Sequence, residues 1–321
     1  MTTASILTAI RGLDILVIGD LMLDHYIWGD VHRISPEAPV PVVHAARESH
    51  TAGGAANVAL NLASLGIPVK LAGALGKDSA GDKLLALLGC AGIDTSLCNA
   101  VTGRPTIVKT RVIARTQQLC RIDHEAASSA YSLECSAKLL ETIEQTDAVI
   151  ISDYAKGVIS QPLLDALLAH AKQHGKIIAL DPKPSRKLAF HGASLITPNR
   201  HEALELAGLP EPGPSEPYPL EAVCRAIQER HSPELLIITL GADGMAICRD
   251  GKVEQTLPTR AREVFDVSGA GDTVIATLTA ALAAGAAAPD AAKLANLAAG
   301  VVVSRIGTAT VTPEDLLGLD A

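Results

Sequence analysis

Asp14-Ile15-Leu16-Val17-Ile18-Gly19-Asp20 is a continuous apolar run that closes on a glycine and an acid. A strand without polar alternation is one buried on both faces, as in a parallel sheet held between layers of helices. Similar runs recur at 70–76, 148–154, 176–181, 194–199 and 235–241. Between them lie segments of helical spacing at 55–65, 80–88, 133–145, 161–174, 200–207 and 220–229. This alternation predicts an α/β fold: a mainly parallel central sheet, helices on both faces, and right-handed crossovers. Ligands of such folds bind beyond the carboxyl ends of the strands. Those ends are polar here: Gly19-Asp20, Ser152-Asp153, Asp181-Pro182-Lys183 and Pro198-Asn199.

Two segments interrupt the pattern. Residues 25–48 carry Pro36, Pro39 and Pro41 with short β-type runs, and residues 104–124 are β-branched and Arg-rich without a helical period. Both are expected to be extended and to pair as a small β-sheet lid over the strand ends. The whole of 1–321 then reads as one domain with that lid. The proline-rich stretch 209–219 reads as a surface loop.

Composition narrows the class. The chain has 321 residues, 27 basic and 35 acidic, for a net charge of −8; 48% are hydrophobic and 2% aromatic. The hydrophobic fraction excludes a disordered chain. The acidic balance and the scarcity of aromatics speak against a nucleic-acid or anionic-membrane partner. Residues 1–12 hold no basic segment followed by an apolar run, and the charge-free stretch 273–289 is short and Ala/Gly-rich, so it reads as a buried helix and a turn. Six cysteines (90, 98, 120, 135, 224 and 248) form no C-x-x-C pair, which reads as reduced thiols in a cytoplasmic protein. His170 and His174 stand four apart with no H-E-x-x-H around them, and their spacing alone makes no metal site.

The chemistry concentrates in Asp266-Val267-Ser268-Gly269-Ala270-Gly271-Asp272-Thr273, ahead of a long Ala/Leu helix. Gly269, Ala270 and Gly271 let backbone amides converge on an anion at a helix N-terminus. An acid there repels a phosphate, but makes sense if Asp272 is a base that takes a proton from an attacking hydroxyl while the amides stabilise a transferring phosphoryl group. The same residues also read as a simple helix cap. G-x-x-x-x-G-K-[ST] is absent, and G-x-G-x-x-G is not completed. Ala52-Gly53-Gly54-Ala55-Ala56-Asn57 is a second glycine-rich entry to a helix, and Asn57 there offers a donor and an acceptor to sugar hydroxyls.

Taken together, these motifs resemble the ribokinase (pfkB) family of carbohydrate kinases. The first family signature resembles Gly53–Asn57, the second Asp266–Asp272, and the N-x-x-E element near metal and phosphates resembles Asn199-Arg200-His201-Glu202. Gly19-Asp20 with Asp24 resembles the opening after the first strand. Val267-Ser268 departs from the usual two threonines. Within the family, GDLMLDHY (19–26), RISPEAPVPV (33–42), SDYAKG (152–157) and DPK (181–183) are similar to D-glycero-β-D-manno-heptose 7-phosphate kinases of lipopolysaccharide core synthesis. Many of those are fused to a nucleotidyltransferase, so the chain length implies the kinase half alone.

The resemblance implies an ATP-dependent phosphotransferase acting on a C1 hydroxyl, with Mg2+ held near Asn199 and through water by Glu202. A monovalent cation such as K+ near the Asp266 loop is common in the family. The sugar phosphate is expected at Asp24, Gly53, Gly54, Asn57 and Asp153, with Lys109, Arg111, Lys156 and Lys183 as clamps for the phosphate. In an extended strand Lys109, Arg111 and Arg115 share one face. Thr239, Gly241, Gly244, Gly271 and Asn296 are expected around ATP. A homodimer through the exposed lid edges is expected as well. Another sugar or nucleoside kinase of the family, or a non-catalytic sugar or nucleotide sensor, are the competing readings.

Overall fold

The structure is a computed structural model and describes residues 1–319 other than 116, 128–130, 214, 262–263 and 306. After helix α1 (Thr3–Ala9), the apolar run quoted first becomes strand β1 (Ile15–Gly19), buried along its whole length. The chain then makes a long hairpin, β2 (Leu21–Ile34) and β3 (Pro41–Gly54). It returns through α2 (Ala55–Ser64), β4 (Val69–Gly76), α3 (Ser79–Cys90) and β5 (Asp94–Val101). A second excursion gives β6 (Ile107–Ala114) and β7 (Gln117–His124). Then come α4 (Ala137–Gln145), β8 (Ala148–Ser152), α5 (Gln161–Gln173), β9 (Ile177–Asp181), β10 (Leu195–Ile196), α6 (Arg200–Ala207), α7 (Leu220–His231) and β11 (Leu236–Thr239). A hairpin, β12 (Met245–Arg249) and β13 (Lys252–Leu257), leads to α8 (Ala270–Ala283), α9 (Ala288–Val303) and α10 (Pro313–Leu319).

The main sheet runs β13-β12-β11-β10-β9-β8-β1-β4-β5, parallel from β11 to β5 and antiparallel in the β11-β12-β13 corner. Side chains alternate across it. Ile15 and Val17 of β1 pack with α1, α2, α8 and α9, whereas Leu16 and Ile18 pack with α4, α5, α6 and α7. Both faces are therefore hydrophobic core, which is why the strands read as unbroken apolar runs. The expected α/β fold is the observed one. No helix among the described residues is long and apolar enough to cross a membrane.

The lid is a separate four-stranded sheet, β3-β2-β6-β7, with a parallel pairing at its centre between β2 and β6. Its strands are longer than expected. β2 starts at Leu21, one residue after β1, and β3 runs to Gly54, so Gly53 and Gly54 end a strand instead of forming a loop. Gly54 has φ +60°, and a Cβ there would lie 2.5 Å from the Asp20 carbonyl oxygen, so only glycine fits this corner. Arg115 falls outside the strand at φ 55°, so it does not share the Lys109 and Arg111 face. Thr116 lies outside the described residues, as does Pro214 of the proline-rich stretch. The helix expected from Leu133 begins at Ala137, capped by Ser136, whose hydroxyl accepts from the Leu139 N–H. Helix α1 and the half-polar β5 have no apolar run to announce them.

Candidate active site

The strand ends Gly19, Ser152, Asp181 and Thr239 lie along one side of the main sheet, and α8 begins beside them. Gly269 caps α8 in the left-handed region at φ +81°, and a Cβ there would come within 2.8 Å of Asn57 Nδ2. Any larger residue would displace Asn57. The turn leaves the N–H groups of Gly271 and Asp272 without a hydrogen-bond acceptor among the described residues, as expected of a first helical turn. The Ala270 N–H reaches back to the Val267 carbonyl at 3.3 Å.

Asp272 is 3% exposed. Its Oδ2 accepts from Asn57 Nδ2 at 2.8 Å, and its Oδ1 accepts from the Tyr154 hydroxyl at 2.7 Å. Burial pushes its pKa up to about 6; the two hydrogen bonds and the Lys109 ammonium pull it down, and the Asp24 carboxylate adds to the rise. A carboxylate so placed is ionised near neutral pH yet basic enough to take a proton. Asn57, expected to hold sugar hydroxyls, gives its amide to this carboxylate instead.

Tyr154 is the residue that sequence reasoning missed. It lay in view within SDYAKG but carries no motif of its own. What positions it is Asp20, fully buried. Its Oδ2 accepts from the N–H groups of Tyr154 at 2.8 Å and Lys156 at 3.0 Å, and its Oδ1 from that of Val158 at 3.0 Å. One carboxylate thus ties down the loop after β8, which includes Ala155 at φ 60°. A non-glycine residue in that region stores about 1–2 kcal/mol of strain.

On the lid side, Asp24 is 3% exposed and paired with Arg111 Nη1 at 2.6 Å, and the guanidinium lies over the Tyr26 ring. Gly53 faces Asp24: a Cβ there would stand 2.7 Å from Asp24 Oδ2. Lys109 lies over the Tyr154 ring, 5.8 Å from its centroid, and forms no salt bridge among the described residues. Burial lowers its pKa, against the pull of Asp24. Lys156 is paired with Glu125 and Lys183 with Glu202 Oε1 at 2.9 Å, so of the four expected clamps only Lys109 is free of a carboxylate. Asp153 points elsewhere. It lines a neighbouring cavity of about 280 Å3 with Lys183, Glu205 and Arg230, and burial raises its pKa to about 6.

Next along the strand ends, Asp181, Glu202 and Lys183 form an acid-rich trough. Burial raises the Asp181 pKa well above the usual carboxylate range, reinforced by Glu202 and Asp272 and opposed by Lys183. Asn199 and Glu202 make a capping box on α6. Asn199 Oδ1 accepts from the N–H groups of His201 and Glu202, and Glu202 Oε2 accepts from the Asn199 N–H at 3.0 Å. Two N–H groups occupy the Asn199 carbonyl oxygen, so Asn199 positions Glu202 and has no lone pair left for a metal at that atom. A hard divalent ion suits carboxylates crowded in this way. Asn199 bridges to Thr239, beyond which Gly241 and Gly244 turn the chain into β12 at φ +65° and +90°. A Cβ on Gly244 would meet the Leu257 carbonyl at 2.0 Å, and the neighbouring Pro258 carbonyl accepts from Asn296 Nδ2 at 2.7 Å. Thr239, Gly241, Gly244 and Asn296 therefore share one corner. Asn296 also borders a cavity of about 1180 Å3 between α9, α10 and the start of the chain.

Known proteins share this architecture. A ribokinase from Arabidopsis thaliana, solved with ribose and ATP, superposes with a TM-score of 0.78 at 22% identity, covering 96% of this chain and 98% of that one. Phosphofructokinase-2 from Escherichia coli, solved with potassium, gives 0.75 at 17% identity, covering 96% and 98%. In sequence the chain is 44% identical over 317 residues to the bifunctional protein HldE of Magnetococcus marinus, covering 97% of this chain and 64% of that protein. It is 44% identical over 307 residues to the HldE of Methylobacillus flagellatus, covering 94% and 62%. The chain thus spans less than two thirds of the length of these relatives. The model of the pfkB family carbohydrate kinases matches residues 13–315, and the chain belongs to that family.

Proposed function

We propose that this chain transfers the γ-phosphoryl group of ATP to the C1 hydroxyl of D-glycero-β-D-manno-heptose 7-phosphate. The product is the 1,7-bisphosphate on the route to ADP-heptose and the lipopolysaccharide inner core. The likeness to the bifunctional HldE proteins supports the substrate. The observation that carries the reaction is Asp272, a buried carboxylate of raised pKa at the amide-lined start of α8. The cytoplasm, where ATP is supplied, is the compartment that goes with this proposal.

In this reading Asp24, oriented by Arg111, holds sugar hydroxyls under the lid, and Lys109 meets the substrate's own phosphate. Asp272 accepts the C1 hydroxyl proton as the oxygen bonds to the γ-phosphorus and the bond from that phosphorus to ADP breaks. Tyr154 and Asn57 keep the carboxylate aimed. The amides of Gly271 and Asp272 receive the charge on the phosphoryl oxygens. Thr239, Gly241, Gly244 and Asn296 form the nucleotide wall. Asp181 and Glu202 would hold Mg2+ through water, and that ion, when bound, neutralises charge on the β- and γ-phosphates. A K+ ion near the Asp266 loop belongs to the same proposal, as does a homodimer through the lids.

An ADP-release assay over heptose 7-phosphate, ribose, fructose, fructose 6-phosphate and nucleosides tests the proposal. Turnover at least a hundredfold faster with the heptose phosphate is expected. Preference for an unphosphorylated sugar would assign the chain to another branch of the family, and no turnover with any of them would leave a sensor.

A further inference from the structure

At the opposite end of the sheet, three side chains far apart in sequence converge. His170 lies in the last turn of α5 and His174 is its C-cap, with the two rings 4.5 Å apart. Glu144, next to last in α4, sets its Oε1 3.1 Å from His170 Nε2 and 3.7 Å from His174 Nε2. One ligand atom from each lies within 4.8 Å of the others. Helix α4 ends where β8 begins and α5 ends where β9 begins, whereas Tyr154 and Asp181 stand at the far ends of those strands. The cluster is thus separated from the cleft by the full length of the strands.

Two imidazoles and a carboxylate are the donor set of a borderline transition metal. Ligands about 2.0–2.1 Å from a tetrahedral zinc stand roughly 3.3 Å from one another, and the two Glu144 distances bracket that spacing. An ordinary ion pair needs one imidazole. Here both Nε2 atoms converge on one carboxylate oxygen, side by side, as a shared cation would hold them. The C-terminal end of α5 adds the negative end of its helix dipole. His170 is only 17% exposed in its side chain, so part of the shell is already dry. The sequence spacing hid this site because its third ligand comes from another helix.

We propose that Glu144, His170 and His174 bind a divalent transition-metal ion of the Zn2+ or Ni2+ class, fastening α4 to the end of α5 independently of the phosphoryl-transfer cleft. Chelator-treated full-length protein titrated calorimetrically with Zn2+, and separately with Ni2+, should show one equivalent lost in the His170→Ala/His174→Ala double variant. Glu144→Gln should weaken it about tenfold. Zn2+ should raise the melting temperature of the parent protein and leave that of the double variant unmoved. Kinase activity in Mg2+ and ATP without Zn2+ should agree within twofold among all three. Equal binding by the parent and the double variant, with either metal, would overturn the site.

Discussion

At pH 7 the Asp272 carboxylate is ionised although buried, because Asn57 and Tyr154 each donate a hydrogen bond to it. Its folded pKa, about 6, lies above the usual carboxylate value. It therefore contributes to folding at acid pH, a contribution lost as pH rises through 6. In the proposed reaction activity runs the other way, since only the ionised form could accept the proton. The rate kcat/KM should fall about tenfold per unit below pH 6, read from a pH–rate profile. Asp272→Asn should lower kcat by roughly 10³-fold or more while ATP affinity stays within twofold. The same variant should melt at an equal or higher temperature at pH 7.5. Tyr154→Phe removes a donor to the ionised form, so the acid limb of the profile should move to higher pH with little change in the KM for ATP. Lys109→Met should raise the KM for the sugar phosphate about tenfold and that for ATP less than twofold. The residues with a motif were legible beforehand. Tyr154 was not, because its role comes from a loop conformation set by Asp20, which no spacing reveals.

Among the elements, the loop 153–158 and the turn into α8 hold the site's geometry. Asp20→Ala would strand three backbone N–H groups, all of them on the loop that carries Tyr154. Urea unfolding should show a loss of roughly 3 kcal/mol or more. Gly269→Ala would force a Cβ onto the Asn57 amide from a left-handed backbone. A fall in kcat of at least tenfold, with the melting temperature falling only a few degrees, would show that the clash acts on Asp272 through Asn57. The parallel strands were readable because both faces of the sheet are core, so β1, β8 and β11 are apolar up to their last residue. β5 was not, because its sequence DTSLCNAV is half polar, without an apolar run, and sits at a sheet edge. That Gly53 and Gly54 close β3 was not legible, because nothing local tells the end of a strand from a glycine-rich entry to a helix.

For the molecule as a whole, the lid is the surface through which the proposed homodimer would form. Ile34 and Ile122 are 61% and 57% exposed, and β3 and β7 are open edges. If the lids pair, Ile122→Asp should shift light scattering from a dimer to a monomer at micromolar concentration; a parent protein already monomeric there would end that reading. The class of fold and the glycine turn into α8 were visible in the chain as written. The partition of the cations was not: Lys156 and Lys183 looked available until the structure gave each a carboxylate. One further consequence follows from Asp20 standing alone between β1 and β2. The residue through which the chain leaves the main sheet for the lid is also the one that holds the Tyr154 loop. In the proposed reaction the sugar-holding lid and the Tyr154 loop share this one junction, so a change at Asp20 should raise the KM for the sugar and lower kcat together.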